Sequence, residues 1–271
     1  MLEQFETYLR AIRGFSENTI RAYMNDLHTF ARWANEHSDI AKWRDVDRAD
    51  IDAFLQYQQE RGYKAATTNR QLSSIASLFR YFKRQGYDVE NPCQYESRRK
   101  QPKTIPATIP VKQLANAYRH AVGVRKTMLG LLASTGIRIQ ELLDMKWEDI
   151  DFDANTIRIS GKGAKERLVT CEEYILSDLK HTHEHLKPCG KMFFVSQRKA
   201  RYMIYETLQP YCHASQLNPH TIRHTFATEL AKNGENAMTI SKVLGHSKIE
   251  TAQKYVDMSQ LSQPRKGICL T

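Results

Sequence analysis

Paired cysteines are missing. The five in the chain (Cys93, Cys171, Cys189, Cys212 and Cys269) are scattered, odd in number and never spaced as CxxC. That excludes a disulfide framework and a zinc ribbon. Long apolar runs are missing too: no stretch approaches the roughly 18 residues of a bilayer span. The opening MLEQFETYLR lacks the apolar centre of a secretory signal, so the expectation is a cytoplasmic protein with no membrane partner. The phosphate-cradling pattern G-x-x-x-x-G-K-[ST] is absent, and the Gly-Lys-Gly run at 161–163 leads into a strand pattern, not a helix. A P-loop nucleotide site is therefore rejected. No internal repeat or low-complexity tract stands out.

What the chain does have is 271 residues, 41% of them apolar and 26% charged, enough for one large or two ordinary globular domains. The formal net charge is +10, a balance that favours a polyanionic partner, nucleic acid first. The excess is local. Residues 1–60 hold 7 basic and 11 acidic side chains, whereas residues 61–103 hold 10 and 3, which points to one basic surface and not a uniformly basic coat.

Helical periodicity runs through FSENTIRAYMNDLHTFARWANEH, with Ser16 placed as N-cap, then through DIDAFLQYQQERG and TTNRQLSSIASLFRYFKRQG. Asn91-Pro92 stops any continuation. Residues 93–110, CQYESRRKQPKTIPATIP, carry three prolines and several basic residues without periodicity, as a linker does. Beyond it, helical patterns cover about 111–122 and 126–134. NTIRISGKGAKERLVT then reads as a hairpin turning at Gly-Lys-Gly-Ala. The expected fold is mainly α: a helical bundle over 1–92, a basic linker over 93–110, and a mostly helical domain over 111–271 with a small antiparallel sheet.

The chemistry concentrates in NPHTIRHTFATELAKNGENAMTISKVLGHSKIETAQKY. Asn218 caps a helix with Pro219 at its first position. On that helix His220 and Arg223, three apart, share a face. A second helix stops at Gly245 and leaves His246 on a turn. Ser247 and Glu250 form an S-x-x-E box for a last helix carrying Tyr255. Three helix ends can thus converge on one small anion. Singly, each residue has an ordinary structural explanation, and the stretch also has the look of a DNA-reading helix-turn-helix. Upstream, STGIRIQELLDMKW puts Arg138 at a helix junction, where its planar fork can face inward on two phosphate oxygens, with Glu141 and Leu142 as buried support. Lys162 sits at the hairpin tip. HTHEHLKPC offers His181, His183, His185 and Cys189, but that spacing fits no common structural metal site, and no metal or other cofactor is expected.

Taken together, Arg138 in TGIRIQEL, Lys162 in the GKG hairpin, His220-Thr-Ile-Arg223-His224 and LGHSKIETAQKY resemble the boxes of the tyrosine recombinases, the phage integrase family. The gaps are similar as well: 24 residues from Arg138 to Lys162, 23 from Arg223 to His246, and 9 from His246 to Tyr255. The likeness is to compact Xer-type members and extends over about residues 5–257, since SENTIRAYMNDLHTF and TTNRQLSSIASLFRYF resemble the family's SAM-like helical core-binding domain. There are departures. Ile222 stands where leucine is usual, TAQKYVDMS lacks a second threonine, and the tail after Tyr255 is short and contains Pro264.

The resemblance implies cleavage and rejoining of double-stranded DNA through a 3′-phosphotyrosine and a Holliday junction, by a tetramer on two sites. Tyr255 is the implied nucleophile and Arg138 and Arg223 the clamps on the nonbridging oxygens. His246 is the implied further donor, His220 the acceptor of the phenolic proton, and Lys162 the donor to the leaving 5′-oxygen, with His224 left as a structural residue. Asn69 and Arg70 are the candidate DNA contacts of the N-terminal domain, and the two lobes are expected to close around duplex with salt-sensitive affinity. A type IB topoisomerase is the mechanistic alternative, and a non-enzymatic regulator the other.

Overall fold

The computed structural model describes residues 1–38, 40, 42–94, 106–161, 166–246 and 248–262, with side chains to 259 in the last segment. Lys162, Ser247 and the Arg98–Lys103 run lie outside the described residues. The chain divides into two units, 1–103 and 104–271.

Among the described residues the first unit has four α-helices, α1 (Leu2–Ala11), α2 (Glu17–His37), α3 (Arg48–Glu60) and α4 (Ala65–Arg84), with a short 3-10 turn at Trp43–Asp45. The first was not delimited by the periodicity reading. Its apolar stripe is only Phe5 and Leu9, both fully buried, too short a signal to bound an element. Ser16 caps α2 through the Thr19 amide, and Asp47 and Asp50 cap α3 reciprocally. The aromatic stripe is core: Phe30 and Phe54 meet edge-to-face at 5.0 Å, and Phe79 and Phe82 at 5.6 Å. One charge is enclosed. Asp26 on α2 is buried and accepts from Ser74 Oγ (2.9 Å) and from Arg70 Nη2 (2.7 Å) on α4.

The second unit has α5 (Val111–His120), α6 (Gly123–Thr135), α7 (Ile139–Asp144), β1 (Ile150–Asp151), β2 (Thr156–Ser160), β3 (Glu166–Thr170), α8 (Glu173–Leu186), α9 (Gln197–Leu208), α10 (Pro219–Lys232), α11 (Ala237–Leu244) and α12 (Glu250–Ser262). The sheet is antiparallel in the order β1-β2-β3, with Ile159 opposite Arg167 and Ile157 opposite Val169. Helix α6 runs through the core, with Met128, Leu129, Leu131 and Leu132 all buried. The last residues of the stretch read as linker belong to this core: Ile109 is buried, and its amide donates to Thr225 Oγ1 on α10 at 2.8 Å. Helix α12 packs on α10 and α11 through Ala252 and Tyr255, against Ala227, Ala231 and Leu244.

Two glycines make the site's turns. Gly136 ends α6 at φ 62°, and a Cβ there would collide with Phe226 and stand 2.9 Å from Leu244. Gly245 ends α11 at φ 65°, and a Cβ there would stand 2.9 Å from Arg167 Nη1. Both conformations are left-handed and favour glycine.

Candidate active site

Arg138 is the N-cap of α7. Its backbone amide donates to Glu141 Oε2 and its Nη1 to Glu141 Oε1, both at 2.8 Å, while its Nη2 donates to the Gly245 carbonyl at 2.9 Å. Arg223, on α10, is only 5% exposed. It donates through Nη1 to Gly136 O and through Nη2 to Leu244 O, both at 2.7 Å. The Leu244 carbonyl also lies 3.5 Å from Arg138 Nη1, so two guanidinium groups from helices 85 positions apart in sequence meet at one oxygen. That convergence is the site's central feature. Arg138 remains 39% exposed along its side chain, and the cluster therefore opens to solvent on its side.

A third guanidinium joins them. Arg167 on β3 makes a two-pronged pair with Glu141 (Nη1–Oε1 3.1 Å, Nη2–Oε2 2.7 Å) and donates Nε to Val243 O at 2.8 Å. The turn end of strand β3 is thereby tied to α7 and to the end of α11. Sequence reading missed this residue. Strand alternation puts Arg167 with Val169 on one face and leaves Leu168 68% exposed on the other, the reverse of what side-chain polarity suggests.

Burial would raise the Glu141 carboxyl. The hydrogen bonds from Arg167 and from the Arg138 amide outweigh it, and the group is held below the usual carboxylate range. Burial and the nearby Arg138 bring Arg223 down to about 10, still a cation at neutral pH. Burial, then Arg223 and Arg138, bring His246 down to about 4. His246 is thus neutral at pH 7, and its Nδ1 is buried with no hydrogen-bond partner among the described residues. Several clustered cations against one carboxylate make a field prearranged for a further anion.

Tyr255 on α12 is buried (3% exposed), and its ring stacks at 6.5 Å and 22° on His246. Burial raises its hydroxyl, while the charge of Arg223 pulls it down. Its hydrogen bond is to His224 Nδ1 at 2.6 Å. The sequence leaves His224 as a structural residue beside Arg223; in the structure, one turn beyond His220 on α10, it reaches across to α12. His220 itself is exposed, and its backbone amide is capped by Asn218 Oδ1 at 2.9 Å. Desolvation among its neighbours, followed by Arg201, Arg223 and Arg138, lowers its imidazole. The site therefore gathers Arg138, Arg223, His246 and Tyr255, keeps His220 at its rim, and leaves Lys162 among the residues not described.

In the first unit, Arg70 is half-exposed but tied to Asp26, and Asn69 stands beside it on α4. Among the described residues no group of three or more His, Cys, Asp or Glu could hold a metal ion. His183 packs on Trp147 and Phe152, with His181 and His185 exposed. No described helix is long and apolar enough to cross a membrane.

Comparison with known proteins bears on the same residues. The phage integrase family matches residues 110–261, and the phage integrase N-terminal SAM-like domain matches residues 2–86. The tyrosine recombinase XerC of Staphylococcus aureus (strain JH9) is 29% identical over 95% of this chain and 91% of its own. The XerC of Pediococcus pentosaceus is 28% identical over 96% and 94%. Among solved structures, the fold is similar to that of XerH site-specific recombinase bound to palindromic difH substrate (TM-score 0.78, 18% identity, 96% of this chain and 82% of that one). It is similar also to a lambda integrase dimer bound to a COC′ core site (TM-score 0.74, 18% identity, 100% and 79%). The two family matches fall one on each unit of the backbone and leave out only the connector and the ends; the chain belongs to the phage integrase family and is a site-specific tyrosine recombinase.

Proposed function

We propose that this recombinase cuts and rejoins double-stranded DNA with Tyr255 as nucleophile, forming a 3′-phosphotyrosyl intermediate and freeing a 5′-hydroxyl. When that hydroxyl comes from a second duplex the product is a Holliday junction, and integration, excision, inversion or dimer resolution follows from where the two sites lie. The observation that carries the reading is the meeting of Arg138 and Arg223 at the Leu244 carbonyl, one helix end away from His246, on whose ring Tyr255 stacks.

A scissile phosphate entering there exchanges backbone carbonyls for its own nonbridging oxygens. The two planar forks bind it with charge-assisted hydrogen bonds that strengthen as the pentavalent phosphorane gains charge. His246 supplies a further donor. Lys162 is the proposed acid for the leaving 5′-oxygen, and His220 the rim histidine available for proton exchange. The phosphotyrosyl ester conserves the bond energy of the broken linkage, so rejoining needs no nucleotide. Asn69 and Arg70 on α4 are the proposed DNA contacts of the first unit; the tie to Asp26 would hold Arg70 in one orientation. Relatives bound to DNA sites support a duplex partner, and assembly as a tetramer on two sites in the cytoplasm completes the proposal.

The test is a nicked suicide duplex carrying the cognate site. A protein–DNA adduct that survives denaturation is expected with the unaltered chain and not with Tyr255→Phe. Relaxation of plasmids that lack a site, with no recombination of those that carry it, would favour the topoisomerase alternative.

A further inference from the structure

Tyr255 cannot attack as a neutral phenol without losing a proton, and the hydroxyl already has a partner. His224 Nδ1 lies 2.6 Å from Oη, a short contact for a phenol and an imidazole. The phenol is the stronger acid of the two neutral groups, so the O–H donates and Nδ1 accepts, which puts the imidazole proton on Nε2. His220, exposed one turn earlier, is not the group bonded to Oη. We propose that His224, through Nδ1, takes the phenolic proton of Tyr255 as it attacks phosphorus, a task that the family resemblance leaves to His220.

The step balances within the enzyme and substrate. A lone pair on Oη forms the new O–P bond while the O–H bond breaks and its proton passes to His224, giving an imidazolium. The P–O5′ bond breaks, and its electron pair leaves on the 5′-oxygen, which takes one proton from the acid. Rejoining runs the same transfers backward and returns the proton to Tyr255. Arg223 is adjacent to His224 on α10, so one rigid helix fixes a phosphate ligand and the proton acceptor together.

The charged and titratable groups facing His224 are His220 and Arg223 on its own helix, Tyr255 on α12 and His246 on the turn after α11. Burial first, then His220 and Arg223, lowers its imidazole. It is therefore neutral at pH 7 and able to accept. The imidazolium that forms is offset by the charge of the phosphorane beside it.

The inference rests on Tyr255 being the nucleophile, and the experiment separates the two claims. His224→Asn places an amide oxygen near the position of Nδ1, which can hold the phenol but cannot carry its proton away. Single-turnover adduct formation on the suicide duplex is expected to slow by about 100-fold or more in His224→Asn, with duplex binding and the circular dichroism spectrum unchanged. Installing a polyfluorinated tyrosine at position 255, ionised at neutral pH, should then recover at least about tenfold of the loss, because the attacking oxygen no longer needs an acceptor. His220→Asn should show no such recovery. A His224→Asn rate within threefold of the unaltered chain, or a defect that the fluorinated ring leaves in place, overturns the proposal and reduces His224 to a positioning residue. Recovery in His220→Asn instead would assign the task to His220. An adduct that persists in Tyr255→Phe overturns the nucleophile assignment, and this inference with it.

Discussion

Glu141→Gln keeps the shape of the carboxylate that pairs with Arg138 and Arg167 and removes its charge. Glu141 is 8% exposed and accepts from Arg138, from the Arg138 amide and twice from Arg167. A glutamine leaves one oxygen for those donors and turns an NH2 group towards the rest. Breaking a buried ion pair on one side costs about 3–5 kcal/mol. Arg138 is 39% exposed, so solvent screens its share, and about 3 kcal/mol is the working figure. For a unit of this size each kcal/mol moves Tm by about 2–4 °C, which predicts a fall of about 6–12 °C for the second unit's transition in a calorimetric scan at pH 7. The sign with pH follows from the direction of the shift. The Glu141 carboxyl is lowered in the folded state relative to about 4.3 unfolded. Its stabilisation is therefore present above that value and lost as pH falls through the lower folded one. The gap between the two proteins should be full at pH 7 and close progressively below about pH 4. A variant within 2 °C of the unaltered chain at pH 7, or a gap that does not narrow in acid, would refute the claim that this carboxylate holds the arginines together.

Two further substitutions test the surroundings. Gly245→Ala imposes a left-handed conformation on alanine and presses Cβ against Arg167. It should cost about 2–3 kcal/mol by urea titration and slow adduct formation, whereas Gly234→Ala, at φ 91° with open space around it, should cost about 1–2 kcal/mol and leave cleavage unchanged. Asp26→Asn tests the opposite pH sign in the first unit. Burial raises the Asp26 carboxyl against the pull of Ser74 and Arg70, so its contribution is greatest below the unfolded value of about 3.9 and is lost as pH rises. The variant should lose at most about 1 kcal/mol at pH 7, and the comparison should move in favour of the native residue on going to pH 4; a large loss at pH 7 that shrinks in acid would contradict this.

Much of the architecture was legible because local rules and burial agree. Ser16, Asn218 and Pro219 begin helices where their side-chain and ring chemistry requires it, and Gly136 and Gly245 end them at positive φ. Thr156–Ser160 and Glu166–Thr170 pair as the β-branched residues on either side of the turn suggest. The gathering of Arg138, Arg223, His246 and Tyr255 was legible through spacing and family resemblance. What single-chain reading could not give is long-range pairing. Arg167 looks like an outward strand arginine until Glu141 is found opposite it, and His224 looks idle until α12 folds back across α10. Both depend on contacts between segments more than 25 residues apart, which no local periodicity encodes.

The most direct measurement is to digest the denaturation-resistant adduct with trypsin and nuclease and to locate the retained nucleotide by mass spectrometry. A 3′-phosphonucleotide carried on Tyr255, in the peptide that begins after Lys254, is the expected result. A nucleotide mapped to any other side chain would contradict the account at its centre.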